Sequence, residues 1–455
     1  MGSVTEPIYE DVMGQWPQLK TYNHGCALYK AVAIAREDII KEWEDATAKL
    51  AEQIPWLTQQ VVHTDVRPGN TGKFHVAPWP SNLPPNKMLR IKDCTELLPS
   101  YQELHDAQFP VQKLDGQIIC PVPGFPMTYK EEEIGPAPAC IIQLNFIKDG
   151  VIVTFSNHHN VMDGTGIFNV VGMIAHLIGG GSLPPQVIKQ GNRDPATVIP
   201  LYPSDHPIKD QSYLRVFSPV PTPLPPGIKT PAKWLAVRFR KDAIPQVKAL
   251  AQDPDGYDPS VPFISSGDAV SALYWKTLAR VRVSLGAPKA TRTKFSRAID
   301  ARRAVGVPHT YMGQMVFTVA THRTYGELLD LPLSAVASLL RGDLNGANTE
   351  HSARSYATFL AREPDKTRIT YAGPFDRGTD IASSSMAQAA LVLQFGRLGA
   401  PEFIRRPNLF PLPGTLYFYP PEASGDLNLL VCLSDEEIDG LKEDQMWGKC
   451  TEVIG

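Results

Sequence analysis

No run of about 18 apolar residues occurs in the 455-residue chain, so no membrane-crossing helix is expected. Basic clusters are missing as well. The 44 Lys and Arg residues stand against 47 Asp and Glu, a net charge of −3, which argues against nucleic acid or an anionic membrane as the main partner. Cysteine is sparse: Cys26, Cys94, Cys120, Cys140, Cys432 and Cys450 show no C-x-x-C spacing, so neither a disulfide framework nor a zinc site is expected. There is no G-x-S-x-G elbow and no internal repeat. Asp253-Pro254-Asp255-Gly256 lacks the ligand order and final glutamate of a calcium loop. Met1-Gly2-Ser3-Val4-Thr5-Glu6 has no apolar signal segment, and Glu6 stands where a myristoylation pattern needs Ser or Thr. These absences lead to the expectation of a soluble, cytoplasmic, monomeric protein with reduced thiols and no bound metal.

What is present is ordinary globular composition, 43% hydrophobic and 20% charged, in a chain long enough for two cores. Twelve prolines fall between Pro184 and Pro231, ending in Pro219-Val220-Pro221-Thr222-Pro223-Leu224-Pro225-Pro226-Gly227. Such a stretch is expected to form neither regular helix nor central strand and to act as a stiff connection. The division is therefore 1–183, a linker at 184–233, and 234–455. Helices are expected at 36–53, 167–178, 266–283 and 435–444, and strands at 141–147, 151–155, 234–239, 315–319, 414–419 and 427–433. Leu393-Gln394-Phe395 reads as a strand entering a glycine turn. Elements of both kinds in both halves give an α/β fold.

The most informative stretch is His158-His159-Asn160-Val161-Met162-Asp163-Gly164. It lies where the second strand of a hairpin, turned by Lys148-Asp149-Gly150, gives way to an apolar helix that stops at Gly179-Gly180-Gly181. Histidine at such a strand end is a candidate proton-transfer group, because its ordinary pKa of about 6.5 leaves much of it neutral near pH 7. The plain alternative is a pair of structural histidines, with Asp163 only a helix N-cap.

His159-x-x-x-Asp163-Gly164, Asp300-x-Arg302 with Tyr311-Met312-Gly313, and Gln394-Phe395-Gly396-Arg397-Leu398-Gly399 together resemble the H-x-x-x-D-G, mid-chain Y-F-G-N and D-F-G-W-G regions of the BAHD superfamily of CoA-dependent acyltransferases. The likeness is greatest to its trichothecene-acetyltransferase-like branch. Gln394 replaces the usual aspartate and Arg397-Leu398-Gly399 a tryptophan-glycine pair. The resemblance implies two chloramphenicol-acetyltransferase-like domains with a channel between them that admits CoA from one face and acceptor from the other. It also implies that a segment near 381–406 packs into the N-terminal domain, and that Asp163 pairs with Arg302 as structural support. A role for Asp163 in orienting the imidazole is the rival reading.

On this reading His159 is the general base for acyl transfer, with acetyl the expected group, from CoA to a hydroxyl of a small, largely apolar secondary metabolite. The transfer is direct, since no cysteine lies near the motif. His158 is read as packing. Acetyl-CoA is a co-substrate, and no tightly bound cofactor is expected. Candidate CoA contacts are Ser265, Ser266, Lys294, Arg297, Ser384 and Ser385, and hydroxyls of Ser383, Ser384 and Ser385 are candidate oxyanion donors. The alternatives are a stand-alone condensation-type N-acyltransferase and a non-acylating cyclase or binding homologue using the same channel.

Overall fold

The hairpin built by Cys140–Ile147 and Gly150–His158 is the backbone of the N-terminal half. Every residue of both strands is buried, and the left-handed Asp149 (φ 60°) turns the chain so that Ile147 pairs with Gly150. A strand buried on both faces needs cover on both. Val151, Val153 and Phe155 pack under the helices Arg36–Gln53 and Gly164–Ile178 through Trp43, Leu50, Val170 and Ile174, while Ile152 faces Tyr101, Leu104 and Ile119. Tyr22–Lys30 adds to the hairpin in antiparallel register and Leu89–Asp93 in parallel, and Phe403–Arg405 closes the far edge of this five-stranded sheet. The computed structural model describes residues 10–216, 222–387, 393–422 and 424–455.

The second half is a seven-stranded mixed sheet, ordered Val316–Thr324, Arg292–Asp300, Ile381–Ser385, Thr415–Tyr419, Leu427–Leu433, Lys233–Phe239 and Thr451–Ile454. Ile381–Ser385 runs parallel to both neighbours and the other pairings are antiparallel. One face packs on the helix Ser266–Ser284 through Leu273, Trp275 and Leu278, which meet Phe295, Leu416 and Phe418. The opposite face presents Trp234, Tyr419 and Leu430, which join Val111 and Ile404 of the other half. A small sheet, Lys73–Ala77, Gln60–Thr64 and Ala137–Pro138, completes the fold in an interval where the sequence offered no clear periodicity.

Three expectations change. The linker contains an α-helix, Pro185–Gly191, because proline at the first helical position gives up only an N–H that would lack a partner anyway. Leu393-Gln394-Phe395 is not a strand. Phe395 stacks flat on Trp43 (5.4 Å, 5°), its N–H donates to the Gly399 carbonyl, and Gly396–Leu398 is a single 3-10 turn. The segment near 381–406 is divided between the sheets, Ile381–Ser385 in the larger and Phe403–Arg405 in the smaller. Residues 1–6, Pro219-Val220-Pro221 of the proline run and 388–392 lie outside the described residues. Among the described residues no helix is long and apolar enough to cross a membrane.

Candidate active site

The loop after Gly150–His158 is held from several directions. His159 donates its backbone N–H to Thr21 O at 2.8 Å, and the Asn160 amide donates to Gly14 O and Trp16 O at 2.5 and 2.9 Å. The Asn157 amide donates to Met162 O at 2.7 Å, tying the loop's two ends together. Gly14 has no room for a side chain, since a Cβ there would lie 1.7 Å from Asn160 O. The N-terminal segment is thus fitted against the loop.

Asp163 closes the loop and opens the next helix. One oxygen accepts the Gly166 N–H at 2.9 Å, the N-cap bond, and the other accepts the Met315 N–H at 2.9 Å. Both also accept Arg302, Nη1 to Oδ2 and Nη2 to Oδ1, each at 2.9 Å. Arg302 is itself 2% exposed and donates further to Tyr311 O, Gly313 O and Asp300. With these partners Asp163 makes no hydrogen bond to His159, and the Asp163–Arg302 pair forms a buried strut between the halves.

His158 and His159 meet different surroundings. His158 is fully buried, its Nε2 hydrogen-bonded to the Tyr129 hydroxyl at 2.5 Å and its Nδ1 accepting the Asn160 N–H at 3.3 Å. Burial lowers its pKa to about 3, with the neighbouring His159 and Lys20 acting in the same direction. His159 is only half-buried, edge-on to the Phe125 ring at 6.1 Å. Burial lowers its pKa to about 4, against the pull of its own carbonyl and that of Met162. It is therefore neutral at pH 7, and its lone pair is available.

The residues singled out for CoA have different local partners. Ser265 caps the helix Ser266–Ser284 in a reciprocal box with Asp268, and Arg297 pairs with the same Asp268 at 2.9 Å while donating to Leu340 O. Arg341 also pairs with Asp268. Lys294 donates to the Ala372 and Pro374 carbonyls and lies 4.0 Å from Asp380. Register places Ser384 beside Tyr417, on the face turned toward the other half, whereas Ser383 and Ser385 align with Leu416 and Phe418 on the helix-covered face. Ser266 is half-buried and Ser385 exposed.

Sequence reading missed four contributors. Gln314 donates to His159 O at 2.7 Å and lies 3.2 Å from its Nδ1. Asp11, its pKa pushed up to about 7 by burial, accepts the Gln314 N–H at 2.7 Å. Phe125 meets the ring edge-on, and Asn160 ties the loop to Gly14 and Trp16. Gln314 carried a signal in its place directly after Tyr311-Met312-Gly313, and Asn160 in lying within the histidine motif, whereas Asp11 and Phe125 carried none. All six cysteines are free, and among the described residues no three His, Cys, Asp or Glu side chains are grouped to hold a metal.

Comparison with known proteins agrees with the motifs. Residues 21–177 match the trichothecene 3-O-acetyltransferase-like N-terminal domain and residues 125–447 the Transferase family. The O-acyltransferase pigD of Monascus ruber is 40% identical, covering 98% of each chain, and the O-acetyltransferase epaC of Aspergillus niger is 36% identical, covering 98% of this chain and 97% of its own. The crystal structure of F. sporotrichioides TRI101 complexed with coenzyme A and T-2 superposes with a TM-score of 0.90 at 28% identity, over 99% of this chain and 100% of that one. With the His159-x-x-x-Asp163-Gly164 loop, the Asp163–Arg302 strut and two mixed sheets in place, the chain belongs to the Transferase family, the BAHD acyltransferases, on its trichothecene 3-O-acetyltransferase-like branch.

Proposed function

We propose that this acyltransferase moves an acetyl group from acetyl-CoA to a hydroxyl of a small, largely apolar secondary metabolite, with His159 as the general base. The observation that carries the assignment to His159 is the contrast within the pair. Both rings are neutral at pH 7, but His158 is sealed and bonded to Tyr129, whereas His159 keeps accessible surface. A hydroxyl becomes nucleophilic as its proton leaves, and a positioned base contributes roughly 10²–10⁴-fold. His159 takes that proton while the hydroxyl oxygen bonds to the acyl carbon, and returns it to the departing sulfur as the thioester bond breaks. No residue is acylated on the way.

Asp163 and Arg302 support the loop without touching the reactants. Ser265, Lys294 and Arg297 commit donors to partners inside the chain, so in this reading Ser266, Ser384 and Ser385 carry the CoA contacts, and Ser384 faces the developing oxyanion. The working division is 1–183 and 234–455 joined by 184–233, with the reactants meeting in a channel between the two sheets. The protein acts as a cytoplasmic monomer.

Purified protein incubated with acetyl-CoA and a panel of hydroxylated polyketides and terpenoids is expected to release free thiol and to yield a product heavier by one acetyl group. His159→Ala removes this activity and leaves the fold intact. Initial-rate plots that intersect accord with direct transfer, and parallel lines would contradict it.

A further inference from the structure

His159 is touched from outside its own loop by Gln314, a residue 155 positions away. The Gln314 Nε2 donates to His159 O at 2.7 Å and stands 3.2 Å from Nδ1. The first contact fixes the amide's orientation, because turning it would set Oε1 against a carbonyl oxygen. Gln314 is fully buried, and its Oε1 has no hydrogen-bond partner among the described residues. An unpaired buried acceptor costs about 1–3 kcal/mol, so packing alone does not account for an amide here, since methionine would fill similar space with nothing unpaired. The main chain at Gln314 is fixed as well. Its N–H donates to Asp11 Oδ2 at 2.7 Å, while Asp11 Oδ1 accepts the Met13 N–H at 3.0 Å.

We propose that Gln314 is a positioning residue for His159: its amide locks the histidine's carbonyl and imidazole, and Asp11 holds that amide in place. The inference rests on His159 being the base of the transfer. A carboxylate in place of this uncharged amide attracts a second proton to the ring. The other ionisable groups around the ring have partners of their own. Asp163 is closed by Arg302, which also takes Asp300; His158 bonds Tyr129; Lys20 pairs with Glu131 at 2.6 Å; Asp11 and Tyr311 lie behind Gln314. Charge introduced at position 314 therefore reports on His159 directly.

Carbethoxylation by diethyl pyrocarbonate, followed at residue 159 by tandem mass spectrometry and assigned against His159→Ala, reads the neutral imidazole without acyl donor or acceptor. In the parent chain the labelling rate is expected to stay level from about pH 8 to about pH 5, because the ring titrates at about 4. Gln314→Glu makes the rate fall inside that window, with an apparent pKa higher by about one unit or more. Gln314→Met frees the ring without adding charge, so labelling above about pH 6 speeds up several-fold, and kcat with any alcohol that turns over falls roughly tenfold to a hundredfold at unchanged KM for acetyl-CoA. Superimposable labelling curves for the parent and either folded variant overturn the proposal. Labelling needs no turnover, so a failure of the acyltransfer reading is told apart from a failure of this one.

Discussion

One pair of side chains joins the loop that carries His159 to the other half of the chain. Asp163 and Arg302 come from opposite halves, both are almost wholly buried, and each is saturated by hydrogen bonds. Asp163→Asn removes the charge that compensates Arg302 and keeps the volume. Breaking one side of such a pair costs about 3–5 kcal/mol, so a clear fall in the urea midpoint is expected, with loss of activity following loss of loop geometry. Arg302→Lys does not rescue, because an ammonium cannot match two carboxylate oxygens and two carbonyls at once. The His159 pKa makes a separate prediction. Its folded value lies below the ordinary one, so the neutral form that the proposed base needs is present above about pH 4 and is lost as pH falls through that value. The acid limb of kcat/KM is therefore expected near pH 4, well below that of an unperturbed histidine. A limb near pH 6.5 would mean that the ring is better hydrated than the geometry shows.

Elements with strong periodicity were legible in the sequence. The hairpin announced itself by Asp149-Gly150 between apolar runs, Arg36–Gln53 by Ile39, Trp43 and Leu50 on one face, and Gly164–Ile178 by its N-cap and glycine stop. His159 and Asp163 were legible because the motif is local, whereas the partnership with Arg302 came from family resemblance. The segment from Asp11 to Trp16 was not legible. A three-residue 3-10 turn has no period to read, and its value lies in carbonyls offered to Asn160 across 144 to 146 positions. Gly14 tests that role. Gly14→Ala drives a methyl into the Asn160 carbonyl, and overpacking of this kind costs about 1–3 kcal/mol. Gly25→Ala, in the adjoining strand where a Cβ meets nothing within 4 Å, is the control and is expected to leave the melting temperature and turnover unchanged. If both variants behave alike, the segment does not hold the loop.

At the scale of the molecule the two larger sheets are tied together, because the chain crosses between them and side chains reach across. Phe403–Arg405 pairs with Tyr22–Lys30, and the buried Arg405 reaches Glu422 at 3.2 Å, a carboxylate that also holds Arg238 of the larger sheet at 2.8 Å. Arg406 lies over Trp234 at 4.3 Å while donating to Phe125 O, which links the larger sheet to the ring beside His159. Acid should expose this coupling. His24, His158 and His159 all belong to the smaller sheet and its loop, and burial lowers their pKa values to about 3, 3 and 4. Groups with depressed folded values contribute stability above about pH 6.5 that is lost as pH falls toward those values. Asp11 works in the opposite sense, since its raised value favours the folded chain at low pH and offsets one of the three protons. Through the three histidines, less Asp11, the unfolded chain binds more protons than the folded one between about pH 4.5 and 6, and His63, His75 and His322, also lowered by burial, act in the same direction, so unfolding free energy falls as pH falls through that window. Urea titrations at several pH values in that window should show this slope. Tryptophan fluorescence, which samples Trp43 in one half and Trp234, Trp275 and Trp447 in the other, should change in a single step coincident with the far-ultraviolet signal. Two separated steps, with the smaller sheet lost first, would mean that the crossing strand and the Arg405–Glu422 link do not bind the halves into one unit.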